Sequence, residues 1–363
     1  MKIKNIYKIS IGLILSVLMF GCNDFDDINT NPDTTTEVSA SMLSTHSILS
    51  IARFGGRDAK AMISDNALPK YVGYAEEGQM ATQYNRIGSS GFGSLTVLPN
   101  LDRMIEYAEG TAAENSYKGL AKFVRAWVFY ELTMEMGDVP YTEANLGADG
   151  LYKPRYDRQV DIFEGVLNEL KEADQFFANG QTFAGDPTPF NGDPVKWRQA
   201  TNSFALKVLM SLSLKEDVAS LNVKSRFAEI VAAGNIFKSS SDYFGLVYSS
   251  INRHPIHSTN DLFQRNTVIS SLLIDSLKSL NDRRLFYYAE PAPAELSEGN
   301  TESDWDAYVG ADIAMDYTAM TANHSMGNYS ILNYRYLVEE ASEPRRLLTY
   351  AEQQLILAEA TIR

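Results

Sequence analysis

Cysteine is almost missing: Cys22 is the only one in 363 residues. No disulfide can close within the chain, so stability rests on an apolar core, for which the length suffices. Histidine is scarce, at four residues. His254 and His257 form the one close pair, and a zinc site needs more ligands than two. Cations are outnumbered: 32 Lys and Arg stand against 46 Asp and Glu, a formal charge of −14. A surface this acidic binds phosphate backbones poorly, which argues against a nucleic-acid partner. The Gly-x-Ser-x-Gly elbow of serine hydrolases is missing, as is the lysine that would turn the Gly88, Gly91 and Gly93 run into a phosphate loop. Asp304 and Asp306 could serve glycoside hydrolysis, but acids this abundant pair by chance. No enzyme activity, cofactor or metal is expected.

What is present begins at the N-terminus. Lys2, Lys4 and Lys8 precede an apolar stretch over residues 9–20, and Gly21 then leads into Cys22. That is the layout of a secretory signal. The stretch is shorter than the roughly 20 residues that span a bilayer. A small residue before a lone cysteine is the pattern of a bacterial lipobox, so Cys22 is expected to carry lipid and to become the first mature residue. Removing residues 1–21, with three lysines and no acid, takes the formal charge from −14 to −17. An acidic run, Asp24 to Asp27, follows the anchor and resembles surface-export signals of Gram-negative lipoproteins. Residues 22–38 read as a polar tether that turns at Asn31-Pro32-Asp33. Their spacing lacks the glycine and terminal Glu of a calcium loop.

Helical periodicity dominates the rest. Residues 117–136 place Leu120, Phe123, Val124, Trp127, Val128 and Leu132 on one face. Gly137 and Pro140 supply the stop. Residues 161–178 repeat the pattern, and Asp193-Pro194 opens a third helix carrying Trp197 and Phe204. Further helices are predicted over 223–233, 267–280 and 350–363, the last with Ala351, Leu355, Ala358 and Ile362 on one face. Long segments at 183–192, 237–261 and 291–335 read as loops, and loops of that length in a helical scaffold carry function. The expected fold is all-α: tetratricopeptide-like helix pairs, long ligand-face loops and little strand. A strict repeat of about 34 residues is not kept.

Several segments, in order, resemble the SusD/RagB family of outer-membrane lipoproteins. They are the mature start at Cys22 to Pro32, Ala121 to Trp127 with its Arg125-Ala126 pair continuing to Met136-Gly137-Asp138-Val139-Pro140-Tyr141, the helix start at Gly192 to Trp197 with Ala200 to Ser203, Leu280 to Leu285, and Thr349 to Ala360. The resemblance implies a helical nutrient-binding domain over residues 39–363. It implies a cell-surface lipoprotein, anchored in the outer membrane and facing outward. Such a protein captures oligosaccharides and hands them to a SusC-type TonB-dependent transporter. Family members usually continue beyond the last helix, so a C-terminal part of the domain is expected to be missing, with an apolar face left unpaired. The residues leave two alternatives open: a binder of peptide or protein with the same fold, and a secreted glycoside hydrolase.

Sugar capture needs flat rings for the pyranose faces and amides or charged groups for the hydroxyls. Loop clusters of those types are Tyr84-Asn85-Arg86, Trp305 with Tyr308, and Asn328-Tyr329. Trp305 sits among acids, with no packing role evident from sequence. The sharpest test concerns the anchor. Cells fed a radioactive fatty acid should label the wild-type chain and not Cys22→Ala, which should leave the membrane fraction. Label retained by the variant would remove the lipobox reading.

Overall fold

A computed structural model describes residues 38–53, 66–75, 90–257 and 265–363. Every element below lies in the unit Ala40–Arg363. Cys22, the 1–21 signal, nearly all of the 22–38 tether and Tyr84-Asn85-Arg86 lie outside the described residues. Among those described there are twelve helices and four short strands. None of these helices is long and apolar enough to cross a membrane.

The scaffold is a stack of helices: α1 (Ala40–Ala52), α2 (Leu98–Ala108), α3 (Glu114–Met136), α4 (Gln159–Ala178), α5 (Pro194–Ser211) and α6 (Val223–Ala233). Helix α3 starts where Glu114 accepts the backbone N–H of Gly110 at 2.9 Å, a carboxylate at the positive end of the helix dipole. It stops at Gly137, whose φ of 80° suits glycine and few other residues. Down its length, Gly119 meets Phe177, Lys122 pairs with Glu172 and Arg125 pairs with Glu169. As α3 residues advance their partners retreat, so α3 and α4 are antiparallel. Asp193 caps α5 by accepting from the N–H of Val195 at 2.8 Å, with Pro194 at the first helical position, as the sequence predicts.

Trp127 and Trp197, expected to pack helix against helix, are 4% and 0% exposed. They sit in an aromatic cluster with Phe123, Phe204 and Phe244. Trp127 lies 4.6 Å from Phe204, and Phe123 lies 5.3 Å from Trp197, ring centre to ring centre. The Trp197 indole N–H is satisfied by Asp186 at 2.8 Å, so burial leaves it no orphan donor. Phe244 comes from β2 (Tyr243–Leu246), which pairs antiparallel with β4 (Arg345–Thr349) and closes this core from the side.

The Gly-Asp-Val-Pro-Tyr turn follows from one network. Arg125 donates to Glu169 at 2.7 Å and to the Tyr141 carbonyl at 2.8 Å, and its guanidinium lies over the Phe129 and Tyr141 rings. Asp138 accepts the N–H of Gln159 at 2.8 Å, and Asp157 accepts those of Tyr141 and Thr142. The chain leaving α3 is thereby tied to the start of α4. Gly165 completes the fit, because a Cβ there would clash with the Tyr141 ring edge and hydroxyl.

The second half is built differently. Strands β1 (Val72–Tyr74) and β3 (Thr267–Ile269) pair antiparallel with Gly73 opposite Val268. Around them lie α7 (Ser271–Ser279), α8 (Leu285–Tyr288), α9 (Pro293–Ser297), α10 (Tyr317–Ser325) and α11 (Arg335–Val338). They share two smaller cores, one with Ile274, Leu285 and Tyr336, the other with Val268, Met320 and Tyr329. The helix predicted over 267–280 is therefore corrected at its start. Thr267, Val268 and Ile269 are β-branched and fully paired, and the helix begins only after Ser270, which caps it by accepting from the N–H of Leu273. The loop predicted over 291–335 contains α9 and α10.

Helix α12 (Tyr350–Ala360) docks by a polar contact. Buried Gln353 accepts from Ser203 at 2.6 Å and from the N–H of Phe237 at 3.0 Å, and returns a bond to the Phe237 carbonyl at 3.1 Å. The face predicted from periodicity points outward, with Leu355 73% and Ile362 87% exposed; the buried residues are Gln353 and Ile356.

Two substitutions test this packing. Trp127→Ala should cost about 3–5 kcal/mol in urea denaturation, the usual range for a buried aromatic; a loss below about 1 kcal/mol would contradict the aromatic cluster. Gly165→Ala adds one methyl yet should cost about 1–3 kcal/mol by overpacking against Tyr141, and Tyr141→Leu should relieve part of that cost in the double variant.

Candidate ligand-binding site

Two hollows open among the elements around β1 and β3, one with Tyr288 and the other with Phe286 of α8 in its wall. The first, about 360 Å³, is walled by Tyr71, Tyr288 and Tyr336, with Asn66 and Glu343 at its edge and an apolar floor that includes Leu273. Strand pairing assembles it. The N–H of Ser270 bonds to the Tyr71 carbonyl at 3.0 Å, setting that ring beside β3. Asn333 ties α8 to α11: its N–H meets the Tyr288 carbonyl at 3.0 Å and its side-chain amide the Ala289 carbonyl at 3.1 Å. Tyr71 is 43% exposed, whereas Tyr336 is buried and donates its hydroxyl to Glu343 at 3.0 Å. Burial, with the Glu343 carboxylate beside it, pushes the Tyr336 phenol well above its ordinary pKa, so it stays a donor at any physiological pH.

The second hollow, about 330 Å³, is lined by Arg283, Phe286, Glu290, Glu302, Tyr308 and Asn333. Burial raises the Glu290 pKa, and its carboxylate accepts the N–H of Tyr334 at 2.6 Å. Burial also drives the Tyr308 phenol up to about 12. A third hollow, about 300 Å³, lies between α4, α5 and α6 and has no ring in its wall. Several of its polar groups are already engaged: Asp174 holds Arg198 at 2.7 Å and Asn202 at 2.6 Å, and Arg226 holds Asn168 at 2.8 Å. It lacks the flat apolar faces that a sugar ring stacks on.

The residues singled out from sequence fall in several places. Trp305 and Tyr308 do come together, both against Phe286, with ring centres at 4.7 and 5.1 Å. Trp305 therefore has the packing role that the sequence does not reveal, and it remains half-exposed. Tyr308 is buried and its hydroxyl donates to the Glu302 carbonyl at 2.9 Å. Asn328 donates to the Asn323 side chain at 2.9 Å. Tyr329 is buried in the small Val268 and Met320 core, its hydroxyl 3.3 Å from the Met315 sulfur. The open rings of Tyr71 and Tyr288 escaped sequence reasoning, because only the β1–β3 pairing and the Asn333 tie make them neighbours.

The remaining candidates are accounted for by local structure. His254 is buried against Tyr248, at 4.9 Å between rings, and burial lowers its pKa. Among the described residues no three His, Cys, Asp or Glu stand close enough to hold a metal. Asp304 accepts the N–H and hydroxyl of Thr301, both at 2.7 Å, which hold its carboxyl below the usual range. A general acid of a glycosidase needs the opposite shift.

Comparison with known proteins fits this architecture. The SusD-like_2 family, described as starch-binding and associating with the outer membrane, matches residues 32–363. A SusD homolog from Bacteroides fragilis is 40% identical, with a TM-score of 0.83 over 90% of this chain and 68% of its own length. A second SusD homolog from that organism is 33% identical, with a TM-score of 0.75 over 90% of this chain and 69% of its own. A chitin-binding SusD homolog from Flavobacterium johnsoniae shares the fold at 15% identity, with a TM-score of 0.63 over 88% of this chain and 65% of its own. None of the curated proteins matches. On the extent of the family match and the identity to these SusD homologues, the chain belongs to the SusD-like family of outer-membrane-associated binding proteins.

Proposed function

We propose that this protein captures oligosaccharides in the tyrosine-walled hollow and delivers them to a SusC-type TonB-dependent transporter, held at the outer membrane by lipid on Cys22 and facing outward. It acts by binding, without catalysis. The observation that carries the reading is the wall of Tyr71, Tyr288 and Tyr336 beside Asn66 and Glu343, in a chain whose family is described by starch binding. The Flavobacterium relative is described by chitin, another polymer of pyranose rings. Aromatic faces take the apolar side of such rings, while amide and carboxylate groups take the hydroxyls. Trp305, half-exposed beside the second hollow, and the Tyr84-Asn85-Arg86 run are proposed as further contacts, with Tyr308 packed on the same Phe286 ring as Trp305.

Each stacking ring contributes roughly 0.5–1.5 kcal/mol, so affinity is the sum of several weak contacts. Titration calorimetry against maltohexaose, cellohexaose and N-acetylchitohexaose should show binding of at least one. Tyr71→Ala with Tyr288→Ala should weaken it by about tenfold or more while leaving the helical circular dichroism unchanged. Unaltered affinity in the double variant would place the site elsewhere. A steep loss of binding with added salt would instead indicate a charged peptide ligand.

A further inference from the structure

The first hollow has one carboxylate in its wall, Glu343, and a guanidinium stands directly behind it. Arg335 donates from Nη2 to Glu343 at 3.1 Å, from Nη1 to the Ser342 carbonyl at 3.2 Å and from Nε to the Tyr287 carbonyl at 3.1 Å. Its guanidinium carbon lies 3.2 Å from the centre of the Tyr287 ring and 4.0 Å from that of Tyr336. The side chains of Arg335 and Glu343 are only 14% and 30% exposed, so solvent screens the pair weakly. The neighbouring charges are also balanced: Arg253 pairs with Glu340 at 2.9 Å, and burial disfavours the charged form of His254. In a chain of formal charge −14, the wall of this hollow is close to neutral.

The hydrogen-bonding character of the edge follows from the same contacts. Tyr336 spends its only donor on Glu343, so its oxygen is left to accept. Glu343 accepts one bond on each oxygen and retains lone pairs for more. Glu343 and Tyr336 together offer acceptors without net charge, which suit hydroxyl donors. They give no advantage to an ammonium group and none to a carboxylate.

We propose that Arg335 is a positioning residue: it neutralises Glu343, fixes Glu343 and Tyr336 as the accepting edge of the hollow, and so sets a preference for uncharged saccharides over amino-sugar and uronic-acid polymers. This deepens the capture reading above and rests on it. Removing either partner should push the preference in opposite directions. Arg335→Met leaves the carboxylate unbalanced and favours a cationic ligand. Glu343→Gln, which keeps the side-chain volume, leaves the guanidinium unbalanced and favours an anionic one.

The experiment is calorimetric titration of the full chain with five hexamers: maltohexaose, cellohexaose, N-acetylchitohexaose, fully deacetylated chitosan at mildly acidic pH, and oligogalacturonate. Wild-type protein should bind a neutral hexamer most tightly. Arg335→Met should shift the neutral-to-chitosan ratio toward chitosan on the order of tenfold, and Glu343→Gln should shift the neutral-to-galacturonate ratio toward galacturonate by a similar factor. The double variant should return both ratios to wild-type values, which a merely structural role for Arg335 would not do. If Arg335→Met fails to fold, the Glu343→Gln shift decides alone. Ratios unmoved in folded variants, or a wild-type preference for a charged hexamer, would overturn this inference and leave the capture reading standing. Wild-type protein that binds none of the five would overturn the capture reading and this inference with it.

Discussion

The contact on which the scaffold depends is the pair Arg125–Glu169, closed over by Tyr141. Glu169 is 7% exposed, and burial raises the pKa of its carboxyl even with a guanidinium at 2.7 Å. Desolvation of such a pair consumes much of its Coulomb attraction, so its role is not chiefly net stability. It specifies geometry. One guanidinium reaches Glu169 on α4 and the Tyr141 carbonyl in the turn, which ties the register of α3 on α4 to the course of the turn. Once α3 and α4 are fixed, Phe177 stacks on Trp197 and places α5, and Phe123 with Trp127 meets Phe244 on β2. The helical half thus propagates from one polar contact through an aromatic core.

The other half obeys a different rule. Its helices are short, and α8 and α11 have four residues each, too few to hold themselves in place. Order comes from long-range pairing: β1 with β3, isolated bridges from Val268 to Ile331 and Ala289 to Leu332, and the Asn333 tie. Such a framework can set aromatic rings at angles that a regular helix face would forbid. It also explains why the tyrosine hollow lies here and not in the helix groove, where Asp174 and its partners already satisfy one another.

This division explains what the sequence made legible. Helices α3, α4, α5 and α6 are local, and their 3.6-residue periodicity and caps could be read directly; the 223–233 helix agrees to the residue. Burial of Trp127 and Trp197 was legible for the same reason. The strand at Thr267–Ile269 was not, because its identity depends on Val72–Tyr74, far away in the chain. The residue that docks α12 was not legible, because Gln353 is polar and hydrophobic periodicity gives it no weight. Trp305 looked unpacked because its partner Phe286 comes from a separate helix. The rings of the hollow suffer the same limit: Tyr71, Tyr288 and Tyr336 carry no shared local signal.

The contrast between the chain's charge and its hollow bears on how capture and release could coexist. A chain of formal charge −14 attracts cations broadly, and an unpaired Glu343 would make the hollow one more cation site. Pairing it with Arg335 removes that attraction while preserving the hydrogen-bonding oxygens. What remains to hold a sugar is ring stacking and neutral hydrogen bonds, each individually weak. Among related complexes affinity differences reside mostly in the dissociation rate, so a site built from such contacts releases its ligand quickly. For the capture and delivery proposed above, a contact that cannot be broken would be no gain, and charge balance at Glu343 would avoid one.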